Sequence, residues 1–145
     1  MVGMKITTRG RYALRAAIDL VTNGDKEPVL RRELADRQGI SPDYVAQILR
    51  TLRDAGIVEA VRGPGGGYRL AQDPSRITAG DVVRAVEGPT AVVSCAAEPT
   101  DPPCPRSGGC VARGLWIELS SQIDRCLNSV SLAELAAEKG SRGFG

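Results

Sequence analysis

The sequence predicts a mainly α-helical fold carrying one small β-hairpin. Three observations lead to it. Apolar residues recur at i, i+3, i+4 and i+7 in several segments that open with a capping residue. Two short β-type runs flank the loop Gly63-Pro64-Gly65-Gly66-Gly67. Beyond Gly88 a stretch with prolines and cysteines fits no regular period, and a long helical pattern begins at Val111.

Taken in order, the first helix starts at Thr7 or Thr8 and runs through RYALRAAIDLV until Asn23-Gly24-Asp25 stops it. Its apolar face is Leu14, Ala17, Ile18 and Val21. A second helix covers about Leu30 to Gln38, with Leu34 and Ala35 inward. Gly39-Ile40 makes a tight turn. Ser41 then caps a third helix with Pro42 at its first position, where a missing N–H costs nothing. Val45, Ile48, Leu49 and Leu52 form its inward stripe, and Gly56 ends it. Helix, short glycine turn, helix is the helix-turn-helix pattern. The hairpin from Ile57 to Arg62 and Gly67 to Ala71 follows at once, which makes the unit a winged helix-turn-helix. Thr78 caps a short fourth helix from Ala79 to Glu87. The long helix from Val111 to Asn128 places Leu115, Leu119, Ile123 and Cys126 on one stripe and suits dimerisation, with packing inside one subunit as the plainer alternative. Ser131 caps a last short helix, which Gly140 ends. The expected organisation is residues 1–88 as the winged helix-turn-helix domain, 89–110 as a cysteine loop, and 111–145 as the dimerisation helix and C-terminal helix.

Composition narrows the function. Hydrophobic residues make up 42% and charged residues 25%, an ordinary globular balance. Aromatic residues are only 3%, too few for stacking platforms on single strands. No apolar run reaches membrane-spanning length and the N-terminus does not read as a signal peptide, so a cytoplasmic chain away from membranes is expected. Residues 1–76 hold 13 Lys/Arg against 9 Asp/Glu, whereas residues 77–145 hold 6 against 8. The basic half therefore coincides with the helix-turn-helix and suits a polyanion. The chain has no histidine, which removes the commonest general base and zinc ligand and most simple hydrolase schemes. An enzyme is not expected.

In a helix-turn-helix the second helix lies in the major groove of double-stranded DNA and offers its N-terminal residues to base edges. The inward stripe leaves Pro42, Asp43, Ala46, Gln47 and Arg50 facing out. Gln47 suits adenine N6 and N7. Ser41, Tyr44 and the amides at the helix start can hold a phosphate, and Arg50 and Arg53 can serve either purpose. Gly65, Gly66 and Gly67 leave a loop without side chains to block close approach to a backbone, and Arg62 at its base suits a narrow minor groove. The plainer reading of each residue is ordinary solvent exposure. A phosphate-cradling nucleotide loop is set aside because no Gly-Lys-Ser/Thr follows. Two copies related by a twofold would read a palindrome.

The cysteines have a separate logic. Cys95, Cys104 and Cys110 are spaced C-x8-C-x5-C in an irregular segment with five prolines between Pro89 and Pro105. Without a secretion signal, metal or redox chemistry is expected rather than a disulfide framework. Thiolates are soft ligands suited to iron–sulfur clusters, 2Fe–2S or 4Fe–4S. Zinc, or a Cys95–Cys104 or Cys104–Cys110 redox disulfide, are the alternatives. Cys126 lies on an apolar helix stripe and reads as a buried packing residue, and Trp116 reads as core or dimer packing. A redox enzyme or electron carrier would also use such a cluster but has no need of a wing.

RYAL near the start, RQGIS before the third helix, VRGPGGGY in the hairpin, the three-cysteine loop and Leu115-Trp116 five residues past its last cysteine together resemble the Rrf2 family of bacterial regulators, and within it the iron–sulfur regulators. The likeness runs from about Lys5 to Leu135. It implies a winged-helix homodimer joined through the long helix, a cluster on Cys95, Cys104 and Cys110, and a palindromic promoter target, with repression as the usual outcome. The implied signals are cluster supply, iron, and oxidative or nitrosative stress. Such relatives place a histidine three residues after the last cysteine, where this chain has Arg113. Nitric-oxide-sensing relatives use a carboxylate at the position of Arg11. Asp101, Glu98, a small thiol or water are then the candidates for a fourth ligand. A glutamate often found on the third helix is Ala46 here. Some members of the family bind no cluster and use a thiol switch, zinc or a protein partner.

Overall fold

The computed structural model describes residues 6–92 and 111–138. The order is α1 (Thr8–Asn23), α2 (Arg31–Gln38), α3 (Pro42–Asp54), β1 (Val58–Val61), β2 (Gly67–Leu70), a 3-10 turn (Pro74–Arg76), α4 (Ala79–Glu87), α5 (Val111–Asn128) and α6 (Leu132–Ala137). It is the mainly helical, winged architecture read from the sequence, with the 3-10 turn added. Side-chain caps set most helix starts. Thr7, Ser41, Thr78 and Ser131 each accept a hydrogen bond from a backbone N–H in the first turn. At α2 the reciprocal half of a capping box does this work, since the Leu30 N–H donates to Glu33 Oε2 at 3.1 Å.

One core joins α1, α2, α3, α4 and α6. Val45, Ile48, Leu49 and Leu52 of α3 are all buried, as the stripe predicts. On α1 the buried face is displaced from the expected one. Ala13, Ala16, Ala17 and Leu20 are buried, while Leu14, Ile18 and Val21 are half-buried at its margin. Alanines let α1 approach its neighbours closely, so the seam follows the smallest residues, not the largest. The chain returns to this core after α5. Thr78 and Ser131 form an antiparallel bridge, Leu132 N–H donates to Ile77 O at 2.8 Å, and Leu132 is 0% exposed.

α5 contrasts with the body. Only Ser120 on it is buried, whereas Val111, Leu115, Ile117 and Leu119 are exposed. Cys126 is a free, exposed cysteine, which corrects the expectation of burial. It borders an apolar cavity of about 350 Å³ with Ile6, Val92, Ile123 and Leu127. Of the apolar stripe on α5, Leu115 and Leu119 are exposed and Ile123 is half-buried within one copy.

Candidate nucleic-acid interface

On top of the shared apolar core, one turn and one charge cluster set the helix-turn-helix. Gly39 takes φ 68°, a left-handed conformation open to glycine, and Ile40 N–H closes back on Ala35 O at 3.1 Å. That turn swings α3 out of line with α2. Asp19 of α1 is 7% exposed and accepts from Arg37 Nη2 at 2.7 Å, Gln38 Nε2 at 2.9 Å and Asn23 Nδ2 at 3.1 Å. Burial pushes the Asp19 carboxyl up, yet the bonds from Arg37, Gln38 and Asn23 outweigh it and hold the group below its ordinary value. Sequence periodicity has no signal for this clamp, which fixes α2 on α1.

On α3, Asp43, Gln47 and Arg50 are exposed on one face, with Ala46 half-buried between them. Ser41 Oγ accepts from the Tyr44 N–H at 3.1 Å, leaving its O–H free to donate outward. Pro42 brings no N–H, so Asp43 holds the one first-turn amide not used by the cap, next to its own carboxylate. The anion cradle expected at this helix start is therefore narrower than the sequence suggested. Tyr44 is half-buried and its ring meets Tyr12 edge-on at 6.1 Å. Arg9 of α1 reaches across to donate to Thr51 Oγ1 at 2.5 Å, adding a cation beside α3 that helix spacing does not reveal. Arg50, Arg53 and Arg62 hold no ion pair among the described residues.

The wing is a two-stranded antiparallel hairpin with Val58 opposite Leu70 and Val61 opposite Gly67. Glu59 and Arg69 pair across it at 2.6 Å. Reciprocal 2.8 Å bonds between Val29 and Tyr68 tie β2 to the chain entering α2. The glycines divide by role. Gly65 and Arg62 are exposed, and Gly65 has φ 75°. Gly66 is buried, and a Cβ there would strike Val61 O. A Cβ on Gly67 would lie 2.6 Å from Val29 O. Gly66 and Gly67 thus let the chain pack against itself, a reason the sequence alone did not give. A cavity of about 560 Å³ opens between α2 and the wing, but Glu27 and Glu33 on its wall oppose a phosphate.

Cys95, Cys104, Cys110, Glu98 and Asp101 lie outside the described residues. Among the described residues no three His, Cys, Asp or Glu side chains gather to hold a metal ion. Arg113 stands on the first turn of α5, and Arg11 donates to Thr8 Oγ1 within α1. No helix among the described residues is long and apolar enough to cross a membrane.

Comparison with known proteins agrees with this geometry. The family model Rrf2, described as an iron-dependent transcriptional regulator, matches residues 6–138. The chain is 40% identical over 135 residues to the HTH-type transcriptional regulator IscR of Vibrio vulnificus, covering 93% of this chain and 79% of that one. It is 42% identical over 132 residues to Protein rrf2 of Nitratidesulfovibrio vulgaris, covering 91% and 87%. Among solved structures it is similar to CymR, the global cysteine regulator of B. subtilis, with TM-score 0.77, 34% identity and coverage of 94% and 98%. It is also similar to T. potens IscR, with TM-score 0.75, 31% identity and coverage of 99% and 93%. These relatives are regulators and not enzymes. The chain belongs to the Rrf2 family and is a winged-helix, DNA-binding transcriptional regulator.

Proposed function

We propose that the chain is a cytoplasmic, homodimeric repressor that binds a palindromic promoter site and holds an iron–sulfur cluster on Cys95, Cys104 and Cys110. The signals it answers are cluster supply, iron, and oxidative or nitrosative stress. The observation carrying this reading is the C-x8-C-x5-C set in a chain 40% identical to IscR of Vibrio vulnificus. The donor chemistry fits. Three thiolates are the soft ligands that iron–sulfur clusters take. Arg113 and Arg11 are cations at the two places where relatives draw a fourth ligand, so that position falls to Asp101, Glu98, a small thiol or water. A cluster held there would supply redox chemistry.

The chain's own residues do the rest. Gln47 reads an adenine edge in the major groove, with Asp43 and Arg50 beside it. Ser41 and Tyr44 grip phosphate, and Pro42 shapes the helix start. Arg62 enters the minor groove while Gly65, Gly66 and Gly67 keep the wing tip narrow. The exposed apolar face of α5 joins two copies. The cysteine segment runs between α4 and α5, so its occupancy shifts the relation of the two recognition helices, a coupling of about 1–3 kcal/mol.

Replacing Cys95, Cys104 and Cys110 by alanine together should abolish the visible absorbance and the iron and sulfide of anaerobically purified protein. A triple variant that keeps its full spectrum overturns the assignment. A second reading, a cluster-free regulator using a thiol switch, zinc or a protein partner, draws on the likeness to the cysteine regulator CymR and the absence of histidine. Colourless anaerobic protein that binds promoter DNA tightly would favour it.

A further inference from the structure

We infer that Arg84 and Asp124 form a clasp that fixes how α5 leaves the DNA-binding body, and thereby the spacing of the two half-sites that a dimer reads. The inference rests on the homodimer proposed above. α5 has a polar stripe as well as its apolar one: Ser120, Asp124 and Asn128, one residue per turn. Each is bonded to the body or to the chain leaving it. Arg84 of α4 donates through Nη1 to Asp124 Oδ1 at 2.6 Å and through Nη2 to Asn128 Oδ1 at 2.8 Å. Asp81 Oδ1 holds the same Nη2 from behind at 3.3 Å. Thr90 Oγ1 donates to the Asp124 oxygen that Arg84 uses, at 3.0 Å. Val92 N–H donates to Ser120 Oγ at 3.0 Å, and Ser120 Oγ donates on to Trp116 O at 2.8 Å.

The character of this joint decides its role. Arg84 and Asp124 side chains are 31% and 42% exposed, and ion pairs so open to water stabilise a fold little. A planar guanidinium gripping acceptors one helical turn apart does fix a rotation, because its fork admits one arrangement. α5 has no fully buried apolar residue, only the half-buried Trp116, Ile123 and Leu127, so the fork dominates the helix's azimuth. In a dimer joined along α5, that azimuth sets where the second recognition helix falls. Neighbouring base pairs differ by only about 3.4 Å along the duplex, so a small rotation changes the preferred spacing. Thr90 and Val92 cross the same stripe on the way to the cysteine segment. Arg84 and Asp124 are therefore positioning residues, acting through the joint between α4 and α5.

The test uses the full chain and a duplex selected from a randomised pool, remade with its half-sites moved apart or together by one base pair. Wild type should prefer its own spacing by roughly tenfold. Arg84→Gln and Asp124→Asn should reduce that preference to about threefold or less, with dimer mass and half-site sequence preference intact. Arg84→Lys keeps the charge but not the fork and should behave like Arg84→Gln. Gly80→Ala perturbs the joint sterically, since its Cβ would collide with Asn128 Oδ1 and come within 2.8 Å of Arg84 Nη1. It should give the same loss if a charge variant does not fold. Unchanged spacing preference in intact dimers overturns the clasp. A wild-type chain that stays monomeric on the selected duplex overturns the proposed dimer instead.

Discussion

Asp19 shows how a single buried charge can organise a DNA-reading unit. Its folded-state pKa lies below its value in an unfolded chain, so its contribution to stability is present above about pH 4 and is lost as the pH falls through the folded value. Asp19→Asn should lower stability by about 1–3 kcal/mol near neutral pH, because Arg37 and Gln38 lose the acceptor that orders them. Denaturant unfolding of both proteins should show the difference shrinking as the pH drops from about 5 towards 2. A gap that holds constant through that range would mean the carboxylate is not the stabilising form. Little of this was legible in the sequence, since Arg37 lies 18 residues from Asp19 and a cross-element pair leaves no periodic trace. Cys126 misled for a related reason. Its apolar stripe is real, but a stripe does not say whether the covering surface belongs to the same copy.

Among the elements, α3 and the wing divide the labour of recognition. Gln47→Ala should cost the selected duplex about 1–3 kcal/mol and leave binding to random duplex unchanged, because it removes a base contact. Arg62→Ala should weaken both and lower the slope of affinity against salt by about one, because it removes a cation that the negative potential of the minor groove attracts. Competition binding at several salt concentrations separates the two. Equal losses on both duplexes from Gln47→Ala would show that α3 does not read bases. The elements themselves were the most legible feature. Ser41, Thr78 and Ser131 announce helix starts through their hydroxyls, and the α3 stripe faces inward as its spacing requires. The face of α1 was less legible, since alanine weighs little in an apolar pattern and much in a close contact. The glycines of the wing were read as clearance for DNA, whereas Gly66 and Gly67 also answer to Val61 and Val29 of their own chain.

For the molecule as a whole, the exposed side of α5 carries the heaviest prediction. Val111 is 94% exposed, Leu115 60% and Leu119 40%, a surface that a second copy would cover. Leu119→Glu should convert the dimer to a monomer by sedimentation and reduce affinity for a palindromic duplex by at least about tenfold, with a single half-site bound as before. A variant that remains dimeric would place the contact elsewhere. The bridge between Thr78 and Ser131 has a consequence at this scale too. It ties the chain entering α4 to the chain leaving α5, so the sequence between those two points is closed like a handle, with α4 itself packed in the core. The cost of closing such a handle grows only logarithmically with its length. Segments of different length between α4 and α5 can therefore be accommodated without unseating α6 from the core.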